Sequence, residues 1–79
     1  MLNYAVYETE PFTELLESLD NAEKQWIEKT KIKLAENPTG KPLRFSWFRE
    51  KKYLNKRLFY LVEEETKRIL LVSFGDKKE

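Results

Sequence analysis

Between positions 41 and 57, the chain concentrates the residue types that bind nucleic acids. This stretch holds seven basic residues against one acid, Glu50, and five aromatic side chains lie among or just after them, between Phe45 and Phe59. Cations supply the countercharge of phosphates and aromatic rings stack on unpaired bases, so the stretch is typical of a surface that meets RNA. A solvated strand face is the alternative, because lysine and arginine are common on any protein surface. The basic residues are Lys41, Arg44, Arg49, Lys51, Lys52, Lys56 and Arg57.

Two residue types that often carry catalysis are missing from the sequence. The absence of cysteine excludes disulfides, thiol nucleophiles and thiolate metal sites, and it indicates a reducing compartment such as the cytoplasm. The absence of histidine removes the usual acid–base group near neutral pH and the commonest metal ligand. Any catalysis must therefore use lysine, arginine, tyrosine or carboxylates, and we expect neither a metal nor another cofactor.

Length and charge distribution limit the kind of protein further. A chain of 79 residues predicts one domain, residues 1–79, with a small core. The sequence shows no apolar run that could span a bilayer and no signal-peptide pattern, so we expect a cytoplasmic protein without membrane contact. Residues 1–40 carry eight acids and four bases, whereas residues 41–79 carry six acids and eleven bases. This asymmetry favours one face for a polyanion and another for a different partner.

The first half of the sequence predicts one strand and two helices. Apolar residues alternate at 2–7, which indicates a strand. Pro11 fits the first position of a helix, and apolar residues recur after it at helical spacing. Asp20 followed by Glu23 is a capping-box pattern that begins a second helix, which ends at about Glu36 because Asn-Pro follows. We expect the two helices to form an antiparallel hairpin.

The second half predicts a loop at 37–42 and then three strands at 45–54, 57–62 and 68–74. Three consecutive β-rich runs with short connections indicate an antiparallel meander. The last run is almost continuously apolar, which is typical of a central strand buried on both sides. The predicted fold class is therefore α+β, with the helices packed on one face of the sheet and a basic, aromatic second face.

A two-residue turn at Asn55 and Lys56 would fix the register of the first hairpin. It would pair Lys52 with Phe59 and place Glu50 on the same face as Lys52. The other face would then carry the residues at alternate positions of the same strand, which are Arg49, Lys51 and Tyr53.

In their order, the segments resemble the RelE/ParE superfamily of toxins from bacterial and archaeal toxin–antitoxin pairs. The resemblance covers nearly the whole chain and includes a KPL segment and an FREKK segment. Its most specific part is KRLFYLV at 56–62, followed after a short acidic turn by a strand that ends in Gly-Asp-Lys-Lys at 75–78. The resemblance implies a RelE-like domain with the order β-α-α-β-β-β.

For the RelE branch, the resemblance implies cleavage of messenger RNA in the ribosomal A site by attack of a ribose 2′-hydroxyl on the adjacent phosphate. Such a reaction needs a base for the hydroxyl, cations for the additional negative charge, and an acid for the leaving oxygen. Arginine suits the charge role because its fork matches phosphate oxygens. A lysine crowded by other cations can transfer protons, since like charges disfavour its protonated form.

The resemblance assigns roles to individual positions. Arg57 matches the arginine that contacts the scissile phosphate. Lys52 and, less closely, Lys51 match basic residues of the preceding strand that stabilise charge and transfer protons, and Lys77 matches a basic position after the last strand. The remaining RNA contacts are expected from Arg44, Arg49, Lys56, Lys78 and Tyr53.

The sequence departs from the family pattern at two places. Glu50 stands where a further lysine is expected. The sequence ends at Glu79, whereas family members commonly continue with a segment that supplies a tyrosine or histidine to the site. We therefore expect either an incomplete catalytic set or a substitute role for Tyr53 or Tyr60, whose plain alternative is that of half-buried sheet residues.

Three functions are compatible with the sequence. The first is a ribosome-dependent mRNA endonuclease, whose partners are the ribosome and its message. The second is a ParE-like inhibitor of DNA gyrase, although the basic cluster around Arg57 and the Lys77–Lys78 pair favour RNA chemistry. The third is a non-catalytic or degenerate RNA-binding member of the same fold.

A toxin of this superfamily implies a cognate antitoxin as a protein partner. Such antitoxins are usually small and partly disordered proteins that wrap around the toxin. The exposed edge of the predicted sheet and Ile32, which lies off the apolar face of the second helix, are candidate docking points.

Overall fold

The computed structural model describes residues 3–38, 41–42 and 47–76, with the backbone alone at 41–42. The predicted α+β class and the order β-α-α-β-β-β are confirmed, with one additional strand in the segment predicted as a loop. That strand has two residues, one of them a proline, which is too short to produce a strand pattern in the sequence. The elements are β1 (Ala5–Glu8), α1 (Glu10–Glu17), α2 (Asn21–Glu36), β2 (Lys41–Pro42), β3 (Phe48–Tyr53), β4 (Lys56–Glu63) and β5 (Arg68–Asp76).

Local side-chain contacts fix where both helices begin. The hydroxyl of Thr9 accepts a hydrogen bond of 3.2 Å from the backbone N–H of Phe12 and caps α1. The predicted capping box of α2 is present, because the N–H of Glu23 donates to Asp20 Oδ1 at 2.8 Å and the Glu23 carboxylate accepts from the Asp20 N–H at 3.4 Å. The second helix ends at Glu36, as predicted. Neither described helix is long and apolar enough to cross a membrane.

The five strands form one mixed sheet in the order β1-β5-β4-β3-β2. The predicted meander is confirmed, since β3, β4 and β5 pair in antiparallel fashion. The first strand pairs with β5 in parallel, so the sheet is not purely antiparallel. The predicted interior position of the last strand is confirmed because β5 lies between β1 and β4.

One face of the sheet packs against the helices and forms the core; we call it the helix face, and the opposite one the open face. A β-bulge keeps both long strands in phase with this core: Phe59 pairs with Ser73 and Tyr60 with Leu71, so Val72 is the extra residue. The predicted burial of β5 on both sides is wrong, because on its open face Leu70 and Gly75 are half-buried and Arg68 and Ser73 are exposed. The core residues are Phe12, Ile27, Leu34, Leu58, Tyr60, Val62, Ile69, Leu71 and Phe74.

The predicted register of the first hairpin is wrong, because the turn begins one residue earlier than expected. The turn lies at 54–55, Tyr53 pairs with Lys56, and Lys52 pairs with Arg57. The turn moves because Lys56 belongs to β4, where it pairs with Asp76 and its ammonium group contacts a carboxylate of α2. The displacement changes each pair by two residues, so the predicted division of side chains between the two faces is retained.

Candidate functional site

The open face begins with an apolar row that crosses four strands. Two aromatic residues at this row are strongly exposed: Tyr7, which belongs to it, retains 52% of its accessible surface, and Trp47, just before β3, retains 49%. Together with Arg68 they border a groove of about 610 Å³. The row consists of the cross-strand neighbours Tyr7, Leu70, Leu61 and Phe48.

A basic row lies four residues further along β3 and β4, roughly 14 Å away at strand spacing. Its members are Arg57 and Lys52, which pair directly across the two strands, with Gly75 on the far side of Arg57. Lys52 is exposed, whereas the side chain of Arg57 keeps 19% of its surface. The structure therefore brings together the two residues to which the resemblance gives the main catalytic roles.

Between these rows lies a buried acid. Glu50 pairs across the strands with Phe59, and its side chain is only 8% exposed. Its Oε2 lies 3.4 Å from Nε of Arg57, one row away. The sequence marks Glu50 only as a departure from the family pattern, and its burial beside an arginine cannot be inferred from residue types alone.

Lys51, the other basic residue of β3 with a predicted catalytic role, lies on the other face of the sheet. It pairs across the strands with Leu58, which is completely buried in the core. The structure therefore does not place Lys51 beside Lys52 and Arg57. Three further predicted site residues lie outside the described residues, and they are Arg44, Lys77 and Lys78.

Two predicted RNA-binding residues on the helix face, Arg49 and Lys56, contact groups of the protein itself. The guanidinium of Arg49 donates to the carbonyl oxygen of Pro38 and lies 3.5 Å from Glu64. The ammonium group of Lys56 binds the Glu23 carboxylate, a hydrogen bond that raises the pKa of Lys56. The basic second face predicted for the sheet therefore carries only part of the described cations of β3 and β4, because alternation along the strands divides them between both faces.

The two tyrosines considered as substitute acids or bases also lie on the helix face. Tyr53 packs its ring 4.9 Å from that of Trp26 and 6.4 Å from that of Phe74. Tyr60 is completely buried, and this burial raises the pKa of its hydroxyl to about 12. Neither tyrosine lies next to Arg57 on the open face, so the structure gives both a packing role. Among the described residues, no group of three or more acidic side chains is placed to hold a metal ion.

No protein-family model matches the sequence, and no characterised protein matches it significantly. Solved structures do match in fold. A double mutant of the E. coli toxin RelE in complex with an antitoxin RelBc peptide has a TM-score of 0.85 at 18% identity, over 99% of this chain and 87% of that chain.

Two complexes from other organisms extend the likeness. The RelBE2 toxin–antitoxin complex of Mycobacterium tuberculosis gives a TM-score of 0.80 at 20% identity, over 100% of this chain and 97% of that chain. The archaeal RelE–RelB complex of Pyrococcus horikoshii gives 0.73 at 16% identity, over 95% and 96%. At such identities the likeness establishes that this chain has the RelE fold over nearly its whole length.

Proposed function

We propose that this chain is the toxin of a toxin–antitoxin pair and cuts messenger RNA in the A site of the ribosome. The observation that carries the proposal is the pairing of Arg57 with Lys52 on the open face of a RelE fold. Both residues occupy positions to which the resemblance assigns contact with the scissile phosphate and with the charge that develops on it. The proposed place of action is the cytoplasm.

The basic row supplies what the cleavage reaction demands. Attack of a ribose 2′-hydroxyl on the adjacent phosphate produces a pentacoordinate phosphorus with an additional negative charge, and fixed cations stabilise that charge. The guanidinium of Arg57 can bind two phosphate oxygens at once, and Lys52 adds a point charge beside it. The reaction yields a 2′,3′-cyclic phosphate and a free 5′-hydroxyl, and it requires no cofactor.

The proposed protein partner is an antitoxin that covers exposed apolar surface on the toxin. Several of the structures that share this fold are complexes of RelE with RelB. In this chain, the groove beside Tyr7 and Trp47 and the isolated Ile32, which is 59% exposed, offer apolar contact areas. Exposed aromatic residues of this kind are typical anchors of protein interfaces.

The test is translation of a defined message in a purified system, with cut sites mapped by primer extension. Wild type is expected to cut only when ribosomes are present. Arg57→Ala should reduce the rate by about 10²- to 10³-fold, the usual cost of removing one group that stabilises a developing negative charge. Lys29→Ala is the matched control, since it removes an exposed cation from α2 and should leave cleavage unchanged.

Two results would replace the proposal by one of its alternatives. RNA binding with a steep salt dependence but no cut product would indicate a non-catalytic member of the fold. Inhibition of gyrase in a supercoiling assay, without any cut message, would indicate a ParE-like toxin.

A further inference from the structure

Glu50 is a charged residue in a place where packing alone would favour an apolar one. Its neighbours across the strands and along the same face, Phe59 and Phe48, are aromatic. Because the Glu50 side chain is only 8% exposed, its carboxylate loses most of its hydration, which is costly unless a cation compensates. The compensating cation is Arg57, the residue on which the proposed cleavage depends.

In this ion pair Glu50 contacts Nε of Arg57, which leaves the two terminal amino groups of the guanidinium for a substrate phosphate. The contact of 3.4 Å joins Glu50 Oε2 to Nε, the guanidinium nitrogen nearest the main chain. The two terminal amino groups form the fork that binds phosphate oxygens bidentately. A phosphate on this fork and the Glu50 carboxylate therefore contact the same guanidinium group at two different edges.

We propose that Glu50 is the general base of the reaction, an inference that rests on the proposed cleavage of RNA. The 2′-hydroxyl belongs to the ribose whose 3′-oxygen carries the scissile phosphate, and in the proposed complex Arg57 holds this phosphate while the hydroxyl faces the carboxylate. Glu50 takes the proton of the hydroxyl while the 2′-oxygen bonds to phosphorus. The chain has no histidine, and this assignment gives it a general base on the open face.

The arriving phosphate itself favours the proton transfer. It competes with Glu50 for the positive charge of Arg57, and it places a second anion beside the carboxylate. Repulsion between two anions favours protonation of one of them. In the free protein the carboxylate is paired with Arg57, and in the proposed complex it accepts the proton of the 2′-hydroxyl.

Lys52 is the general acid of the proposed reaction and acts on the leaving 5′-oxygen. As the bond between phosphorus and the 5′-oxygen breaks, the exposed ammonium group of Lys52 donates a proton to that oxygen. Glu50 has then gained one proton and Lys52 has lost one, and exchange with water restores both. The products are the cyclic phosphate and the 5′-hydroxyl, with no co-reactant.

The first experiment compares Glu50→Gln and Glu50→Asp with wild type in single-turnover cleavage on programmed ribosomes. Glu50→Gln keeps the shape of the side chain but cannot accept the proton, and it should cut about 10²- to 10⁴-fold more slowly while binding ribosomes as wild type does. Glu50→Asp keeps the charge that pairs with Arg57 but retracts it by one methylene, and it should lose at least tenfold. Thermal unfolding of both variants establishes that they are folded.

A message with sulfur in place of the 5′-bridging oxygen at the mapped cut site distinguishes the loss of the general base from the loss of the general acid. A thiolate leaves without needing a proton, so Lys52→Ala should lose much less of its rate on this substrate than on the natural message. Glu50→Gln should lose as much as on the natural message, because its defect lies in activation of the 2′-hydroxyl. A positioning role for Glu50 would instead let the neutral amide retain much of the activity.

The outcomes separate this inference from the proposed function. Cleavage by Glu50→Gln within about threefold of wild type, or its rescue by the sulfur substrate, overturns the base assignment and leaves the toxin proposal intact. If Glu50→Gln does not fold, a fully active Glu50→Asp overturns the assignment on its own. A wild-type protein that cuts no message overturns both.

Discussion

The two faces of the β3–β4 hairpin draw on the same basic stretch but use its cations differently. On the helix face, Arg49 contacts the carbonyl of Pro38, and Lys56 contacts a carboxylate in the first turn of α2. On the open face, Arg57 and Lys52 lie side by side next to a buried carboxylate. Alternation along the two strands thus places Arg49, Lys51 and Lys56 on the helix face and leaves Lys52 and Arg57 at the candidate site.

The largest expected difference between the two faces is in the stability that is lost when the neighbouring residues Leu58 and Phe59 are replaced by alanine. Leu58 is completely buried against the helices, so Leu58→Ala should cost about 2–5 kcal/mol of unfolding free energy. Phe59 lies on the open face and is half-buried, so Phe59→Ala should cost less than half as much. Urea denaturation of both variants measures the difference, and an equal or greater cost for Phe59 would contradict the assignment of the faces.

The next comparison is between the adjacent lysines of β3. Lys52→Ala should slow cleavage at least tenfold, about 1.4 kcal/mol, because Lys52 lies beside Arg57 on the open face. Lys51→Ala should slow it less, since Lys51 lies on the helix face opposite Leu58. Primer extension under identical conditions measures the cleavage rates of the two variants. A larger loss for Lys51 would restore the role that the resemblance gives it.

A smaller effect is expected from two tyrosines on opposite faces. Tyr53→Leu should cost about 0.5–1.5 kcal/mol, because it removes the ring contacts with Trp26 and Phe74. Tyr7→Leu should change the unfolding free energy by less, since Tyr7 is 52% exposed. Urea titrations measure the unfolding free energy of both variants, and a larger loss for Tyr7→Leu than for Tyr53→Leu would contradict this account.

The smallest effect is the pH dependence of an ion pair on the helix face. Lys31 Nζ lies 2.5 Å from Glu8 Oε2, and this hydrogen bond lowers the pKa of Glu8 from its ordinary value of 4.5. Folding therefore favours the ionised acid, and its contribution is present above pH 4.5 and disappears as the pH falls through the lowered pKa. The pair is partly exposed, so the contribution should stay below about 1 kcal/mol.

Lys31→Met tests this contribution by denaturation at neutral and acidic pH. The variant should be less stable than wild type at neutral pH, and the two should converge at acidic pH. A constant difference at all pH values would show that the effect of Lys31 is packing rather than charge.

Features encoded by neighbouring residues could be predicted from the sequence. The capping box of Asp20 and Glu23 predicts the start of α2, and the β-rich runs predict β4 and β5. Alternate positions along β3 predict the division of side chains between the faces. Which face the helices cover could not be predicted, because alternation is symmetric with respect to the two faces.

Features that depend on distant residues could not be predicted. The position of the hairpin turn depends on the contact of Lys56 with Glu23, 33 residues away in the sequence. For the same reason, the predicted RNA-binding group includes cations such as Arg49 whose partners lie in or next to α2. The burial of Glu50 beside Arg57 is likewise a product of strand register rather than of residue type.

The central claim is that the open face is the catalytic face, and two arginines test it most directly. Ribosome-dependent cleavage per folded molecule should be compared for Arg57→Ala and Arg49→Ala, with the folded fraction measured by circular dichroism. This account predicts that Arg57→Ala loses cleavage about 10²- to 10³-fold, whereas Arg49→Ala loses stability but keeps most of its activity once folded. Retained cleavage in Arg57→Ala together with loss in folded Arg49→Ala would place the active site on the other face and contradict the account.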